Sequence, residues 1–293
     1  MPALKLERFV APHGRKVRLD RYDSDRARDL PGCAEAERKI EADGAELARQ
    51  QDMLLARESH AVLLVFQGMD GAGKDGTIKH VMSSVDPQGC SVASFKKPAG
   101  RELKCDYLRR FVIRLPERGQ IGIFNRSYYE EVVGTRVHPE NLDEQNLPAR
   151  GRPAESALWR RRFDEINNLE KYLVDNGILV VKFFLHITRE QQRRRLLERI
   201  SEPEKKWKYS PSDLRERGHW DAYLEAYRDV FRHTSTPWAP WYVVPAGERW
   251  LSAMVVGHVV LARLRKLDLA YPEPDPDEKR EMNAAAKALG REG

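Results

Sequence analysis

The chain has 293 residues, 41% of them apolar and 33% charged, and a formal net charge of +6. That length and apolar content suit one large α/β domain with appendages, a substantial core and a heavily ionised surface. The positive balance points to a polyanionic partner without saying which. The stretch Met1 to Asp23 has no apolar segment of the secretory kind, and no window is long and apolar enough to cross a bilayer. Three cysteines, Cys33, Cys90 and Cys105, lack metal-ligand spacing and read as reduced thiols. The expectation is a soluble cytoplasmic protein.

Residues 1–58 are polar and show no convincing strand, while Ala34–Glu58 has the composition of one long helix. The apolar run Ala61–Gln67 then reads as a strand. It leads into Gly68-Met69-Asp70-Gly71-Ala72-Gly73-Lys74-Asp75, followed by a helical pattern over Lys74–Val85. Strand, glycine-rich turn, lysine and helix form the layout of a P-loop, in which backbone N–H groups make an anion nest at a helix N-terminus. Gly71, Ala72, Gly73, Lys74 and Asp75 are therefore candidate phosphate-binding residues. Asp75 stands where Ser or Thr usually helps to hold magnesium, and Asp70 lies within the loop itself. Two acids in an anion cradle make sense if cations arrive with the phosphates, so Asp70 is the first candidate metal ligand.

Further on, Ser91–Phe95 is a short strand, Glu102–Leu115 a helix and Gln120–Phe124 a buried strand. Asn125-Arg126-Ser127-Tyr128-Tyr129-Glu130-Glu131 follows at once, then Arg136-Val137-His138. Asn125 occupies the strand end where P-loop enzymes usually carry an acid. Arg126 can grip phosphate oxygens bidentately. Glu130, Glu131 and Arg136 are read either as an ordinary solvated helix face or as nucleotide-binding groups. Their place just past a buried strand favours the second, with Glu131 a further candidate metal ligand. Asp70, Lys74, Arg126 and Glu131 form the expected catalytic set.

Trp159, Phe163, Ile166, Leu169 and Leu173 mark a helix closed by Asn176-Gly177, after which Ile178–Ile187 is the longest apolar strand. In the next helix, Thr188–Ile200, a spacing of 100° per residue puts Arg189 and Arg193 on the side of Leu196 and Ile200, with Arg194, Arg195 and Arg199 elsewhere. Arginines seldom face a core without an anion, so Arg189 and Arg193 are expected to clamp phosphate. Residues 201–218 mix prolines with Lys205, Lys206 and Lys208 and suggest a lid facing a long anion. The helix His219–His233, the strand Trp241–Val244 and the helix Glu248–Leu267 complete the core. From Tyr271 a Pro-rich charged tail is expected to dock loosely. The alternation predicts a parallel sheet covered by helices, with ligands at the C-terminal ends of its strands.

Four strings resemble the type-2 polyphosphate kinases: the loop from Gly68 to Gly76, then Phe124 to Glu131, Pro203-Glu204-Lys205-Lys206-Trp207-Lys208-Tyr209-Ser210, and Ala239-Pro240-Trp241-Tyr242-Val243-Val244-Pro245. The resemblance runs from about Leu19 to Pro272. It implies a thymidylate-kinase-like P-loop fold with an N-terminal helical extension (1–60), a core (61–270) and a tail (271–293). It also implies metal-assisted transfer, with magnesium or manganese, between inorganic polyphosphate and nucleotides: AMP, ADP and ATP, with guanine nucleotides left open. Asn125-Arg126-Ser127 with Glu130 and Glu131 is similar to the class III subgroup, which phosphorylates mono- and diphosphates. Tyr128 stands where that subgroup often has His. By this resemblance Asp70 and Lys74 serve the transferring phosphate and its metal, Arg126 binds phosphate, and Glu130 and Glu131 act at nucleotide or metal. Dimers or tetramers are expected by the same analogy. An ATP-dependent nucleoside monophosphate kinase is the competing enzyme. A non-catalytic polyanion or nucleic-acid binder, hinted at by Trp207 and Tyr209, would have no use for Asp70 and Asp75.

Overall fold

The structure, a computed structural model, describes residues 4–22, 32–145, 147 and 154–290. Five strands form one wholly parallel sheet: β1 (Ala61–Gln67), β2 (Cys90–Ser94), β3 (Ile121–Asn125), β4 (Ile178–His186) and β5 (Trp241–Pro245), in the spatial order β2-β3-β1-β4-β5. Every residue of β1 is buried, as an unbroken Ala-Val-Leu-Leu-Val-Phe run requires when helices cover both faces of its strand. The edge strand β2 differs: its Val92 is 59% exposed.

Helices before, between and after the strands supply the covering layers. The long α1 (Cys33–Arg57) packs along α10 (Arg249–Leu264), which also covers α2 (Lys74–Val81). On these helices Leu47, Leu54, Met254 and Val256 are buried. α6 (Glu155–Asp175) lies against β4, and α9 (Trp220–Thr234) lies against α6. The segment before α1 joins this core: Phe9, Ala11, Val17 and Leu19 are buried, and Ala11 N–H donates to Trp241 O at 2.8 Å.

Two expected helices are shorter. The predicted Glu102–Leu115 helix is a 3-10 turn, Gly100–Lys104, followed by α3 (Arg109–Val112). Cys105 is extended (φ −111°, ψ 163°), and the Asp106 carboxylate accepts from Leu108 N–H, starting a new turn. α2 stops at Val81 and tightens into Met82–Ser84, because Val85 is extended ahead of Asp86, whose backbone N–H and C=O are both gripped by Gln51. The described part of the tail contains α11 (Pro276–Leu289), capped by Asp275 and Glu278 and exposed along its whole length. Among the described residues no helix is long and apolar enough to cross a membrane.

The register decides where chemistry can occur. Phe66 pairs with Asn125 and Gln67 with Phe184, so β1, β3 and β4 end at one edge. The glycine loop, the 126–131 segment and α7 (Arg189–Ser201) all begin there.

Candidate active site

The glycine loop is built as its composition demands. Gly68 has φ +152°, and a Cβ there would lie 2.8 Å from Leu185 O; Gly71 and Gly73 have φ +82° and +93°. The turn delivers Lys74 to the start of α2, where its ammonium donates to Gly68 O (2.8 Å) and Met69 O (3.4 Å). Lys74 is only 9% exposed. Burial, together with the nearby Arg126 charge, pushes its ammonium down to about 8.

Arg126 follows β3 directly in a left-handed conformation (φ 64°), fixed by its N–H bonding to Phe66 O at 2.9 Å. That bend aims its guanidinium at Asp70, 2.5 Å from Oδ1, with Glu130 at 3.5 Å. Glu130 and Asp70 keep Arg126 charged against the penalty of burial. Burial alone would raise the Asp70 carboxyl, but Arg126, Lys74 and Arg199 hold it below the usual carboxylate range. Gly68, Asp70, Arg126, Glu130, Gln192, Glu216, Tyr223 and Tyr227 border a small cleft open to solvent. The two departures from the P-loop pattern meet each other: Asn125 Nδ2 donates to Asp75 Oδ1 at 2.5 Å.

Not every expected residue joins this cluster. Glu131 is buried among other partners: Gln145 (2.7 Å), Arg110 (3.5 Å) and Arg162 (3.7 Å). Burial raises its carboxyl despite both arginines. It lines a second cleft with Glu102, Asp106, Tyr107, Arg110 and Gln145, and the buried Arg110 Nε there has no hydrogen-bond partner among the described residues. Arg136 pairs with Asp229 at 2.7 Å.

The helical reading of Arg189 and Arg193 is corrected. Both are exposed, Arg193 paired with Glu190, whereas the buried face of α7 carries Gln192 and Leu196, and Ile200 is 50% exposed. The face next to the loop brings Arg195 and Arg199 inward. Arg195 donates to Gly71 O (2.9 Å), Ala246 O (2.5 Å) and Gly247 O (3.0 Å), buttressing the P-loop from behind. Arg199 bonds Asp213 at 2.9 Å and its charge reaches Asp70. Gln192 donates to Asp70 O at 2.8 Å. The capping box at Thr188 and Gln191 fixes where the helix starts, but not which face packs. Lys205, Lys206 and Lys208 sit on the 3-10 segment Pro203–Lys208, where Lys205 pairs with Glu202 and Lys208 lies over Trp207.

Beneath the site, Lys182 of β4 is fully buried and donates to Glu170 (2.6 Å), Tyr129 OH (2.9 Å) and Thr234 O (2.7 Å). Tyr128 and Tyr129 hydroxyls both donate to Glu170 Oε1, anchoring the segment that presents Arg126 and Glu130.

A parallel sheet with a glycine nest, a buried lysine and an arginine at adjoining strand ends defines a P-loop α/β protein. The sequence model of the polyphosphate kinase 2 family matches residues 33–271. The chain is 42% identical over 279 residues to an ADP-polyphosphate phosphotransferase of Rhodopseudomonas palustris, covering 95% of this chain and 96% of that one. It is 41% identical over 267 residues to an AMP/ADP-polyphosphate phosphotransferase of Meiothermus ruber, covering 91% and 95%. The crystal structure of polyphosphate kinase 2 from Arthrobacter aurescens superposes with a TM-score of 0.80 at 37% identity, covering 90% of this chain and 88% of that one. The chain belongs to the polyphosphate kinase 2 family.

Proposed function

We propose that this protein transfers phosphate reversibly between inorganic polyphosphate and AMP or ADP, forming ADP and ATP. The observation that carries the reading is the buried Lys74 at the mouth of the glycine nest, with Arg126 and Asp70 beside it. A desolvated ammonium held against loop carbonyls is an unfavourable arrangement until an anion with several charges joins it. The names of the relatives in Rhodopseudomonas palustris and Meiothermus ruber support polyphosphate as donor and AMP or ADP as acceptor. The sheet order supports a thymidylate-kinase-like arrangement, and Asn125-Arg126-Ser127 with Glu130 and Glu131 supports the class III subgroup.

The donor set fits magnesium or manganese. Asp70 and Glu130 offer hard oxygens beside the nest, and among the described residues no group of three His, Cys, Asp or Glu side chains is preformed to hold a metal. This suits a cation held by one or two carboxylates together with substrate phosphates. Asp70 is the residue to hold it, and the cation would neutralise charge on the phosphate oxygens. The chain's own contribution is positioning. The nest and Lys74 hold the terminal phosphates, Arg126 orients the transferring group, and Arg199 adds positive charge near Asp70. The acceptor is assigned to the side of the site where Glu130 borders the first cleft and Glu131 with Arg110 the second. Asn125 sits at the nest's rim, and Arg136 lies farther along the same segment. Beyond the nest, polyphosphate follows the basic surface of Arg189, Arg193, Lys205, Lys206 and Lys208.

Acceptor scope is tested by supplying AMP alone or ADP alone with polyphosphate and magnesium, and resolving products by chromatography. Product from both supports the class III reading. Product from ADP only removes the assignment of Glu130 and Glu131 to a monophosphate acceptor.

A further inference from the structure

The helix α8 (Pro211–Gly218) stands over the phosphate cleft, yet Asp213 is its only buried residue and its Leu214 is 69% exposed. With so little apolar contact, polar ties decide where it rests. Its last turn supplies two of them from consecutive residues, pointing to different parts of the site.

Glu216 borders the cleft beside Asp70 and Arg126. Its Oε2 accepts from Tyr223 OH at 2.6 Å and lies 2.9 Å from His138 Nε2. The other ring nitrogen of His138 is 3.2 Å from Glu140 Oε1, and the ring stands edge-on to His219 with centroids 5.0 Å apart. A carboxylate only accepts, so the His138–Glu216 contact uses a ring N–H. Burial would raise the Glu216 carboxyl, but the bonds from Tyr223 and His138 hold it below the usual range. His138 immediately follows α4 (Gly134–Val137), at the end of the chain segment that opens with Asn125 and Arg126. The next residue of α8, Arg217, donates to Arg189 O (2.7 Å) and Gln192 Oε1 (2.9 Å). Gln192 in turn donates to the P-loop carbonyl of Asp70 at 2.8 Å.

We propose that His138 and Gln192 are positioning residues that clasp α8 over the cleft. His138 acts through Glu216 to tie the helix to the segment presenting Arg126, and Gln192 acts through Arg217 to tie it to the P-loop. His138 lies outside the cleft lining and acts only through Glu216, whereas Gln192 borders the cleft and its positioning role is to hold Arg217 and the Asp70 carbonyl. Together they set the height of the helix above the cleft and so exclude water, which would otherwise compete with the nucleotide for the transferring phosphate.

The inference rests on this cleft being the transfer site, so one readout is independent of turnover: the rate of trypsin cleavage after Lys205, Lys206 and Lys208. In H138A, cleavage there rises and KM for nucleotide increases about tenfold, the scale of one charge-assisted hydrogen bond. Phosphate release without transfer also rises, while Tm moves by about 2 °C or less. The H138Q amide can take the place of Nε2 and restores the Glu216 bond, so it recovers slow cleavage and low KM. H138N reaches only toward Glu140 and stays impaired. Q192M, which keeps volume but loses both bonds, shows the same loosening measured separately. The clasp is overturned if H138A matches the parent in cleavage and KM, or if H138Q is as impaired as H138A. Faster cleavage rescued by H138Q, with no transfer activity in any variant including the parent, would retain the clasp and remove the function assigned to the cleft.

Discussion

Replacing Lys74 by methionine should make the unliganded protein more stable while abolishing its chemistry. The ammonium is 9% exposed and is pushed down to about 8 from an ordinary 10.5. Converted at 1.36 kcal/mol per pH unit, that gap is about 3 kcal/mol opposing folding at neutral pH. Because the folded value lies below the unfolded one, the unfolded chain holds more protons between pH 8 and 10.5. Stability therefore rises with pH across that window, and the full cost is present below it. K74M removes this cost but leaves Gly68 O and Met69 O without their donor, a loss of about 1 kcal/mol. The net gain of about 2 kcal/mol corresponds to about 4 °C in Tm for a chain of this size. Thermal unfolding of parent and K74M at pH 7 and pH 10, with and without polyphosphate, reads all of this. K74M should melt higher at pH 7, lose that advantage at pH 10, and gain little from polyphosphate, which should stabilise the parent. A K74M protein that melts below the parent at pH 7, or keeps one constant gap at both pH values, would refute the electrostatic reasoning.

Other consequences follow from the same geometry. D70N should lower kcat about a hundredfold or more with little change in Tm, and excess magnesium should recover part of the rate if the defect is cation binding. R189A/R193A should weaken binding of long polyphosphate with a strong salt dependence and leave kcat within about threefold, because both side chains are exposed; a collapse of kcat would return them to the reacting centre. K182M strands the buried Glu170 carboxylate and should cost about 3–5 kcal/mol. The double variant K182M/E170M should recover much of that loss in chemical denaturation, and no recovery would mean that packing, not charge, dominates there.

Much of this was legible in the chain because local rules and tertiary structure agree. The P-loop was readable from Gly68, Gly73 and Lys74, since a glycine turn between an apolar strand and a helix has few other uses. The strand-end position of Arg126 followed from the apolar run before it. Arg195 escapes the sequence reading because Ile200, apolar yet 50% exposed, is paired there with Leu196 to define the buried face of α7. Its sequence signal was Gln192 and Leu196, spaced so that Arg195 and Arg199 flank them, but only the packing partner selects that face. Glu131 shares a motif with Glu130, yet one step along the 3-10 segment Tyr128–Glu131 sends it to Arg110 and Arg162. The Lys182–Glu170 pair had no local signature: a lysine inside an apolar strand says that a partner exists, not where it lies.

The most direct test of the central claim omits ATP altogether. Purified protein, AMP, inorganic polyphosphate and magnesium are mixed, and nucleotides and chain length are followed together, with K74M in parallel. ADP and then ATP should appear as polyphosphate shortens, and neither should appear with K74M. If AMP is phosphorylated only after ATP is added, with polyphosphate untouched, the protein is an ATP-dependent nucleotide kinase and the donor assigned here is wrong.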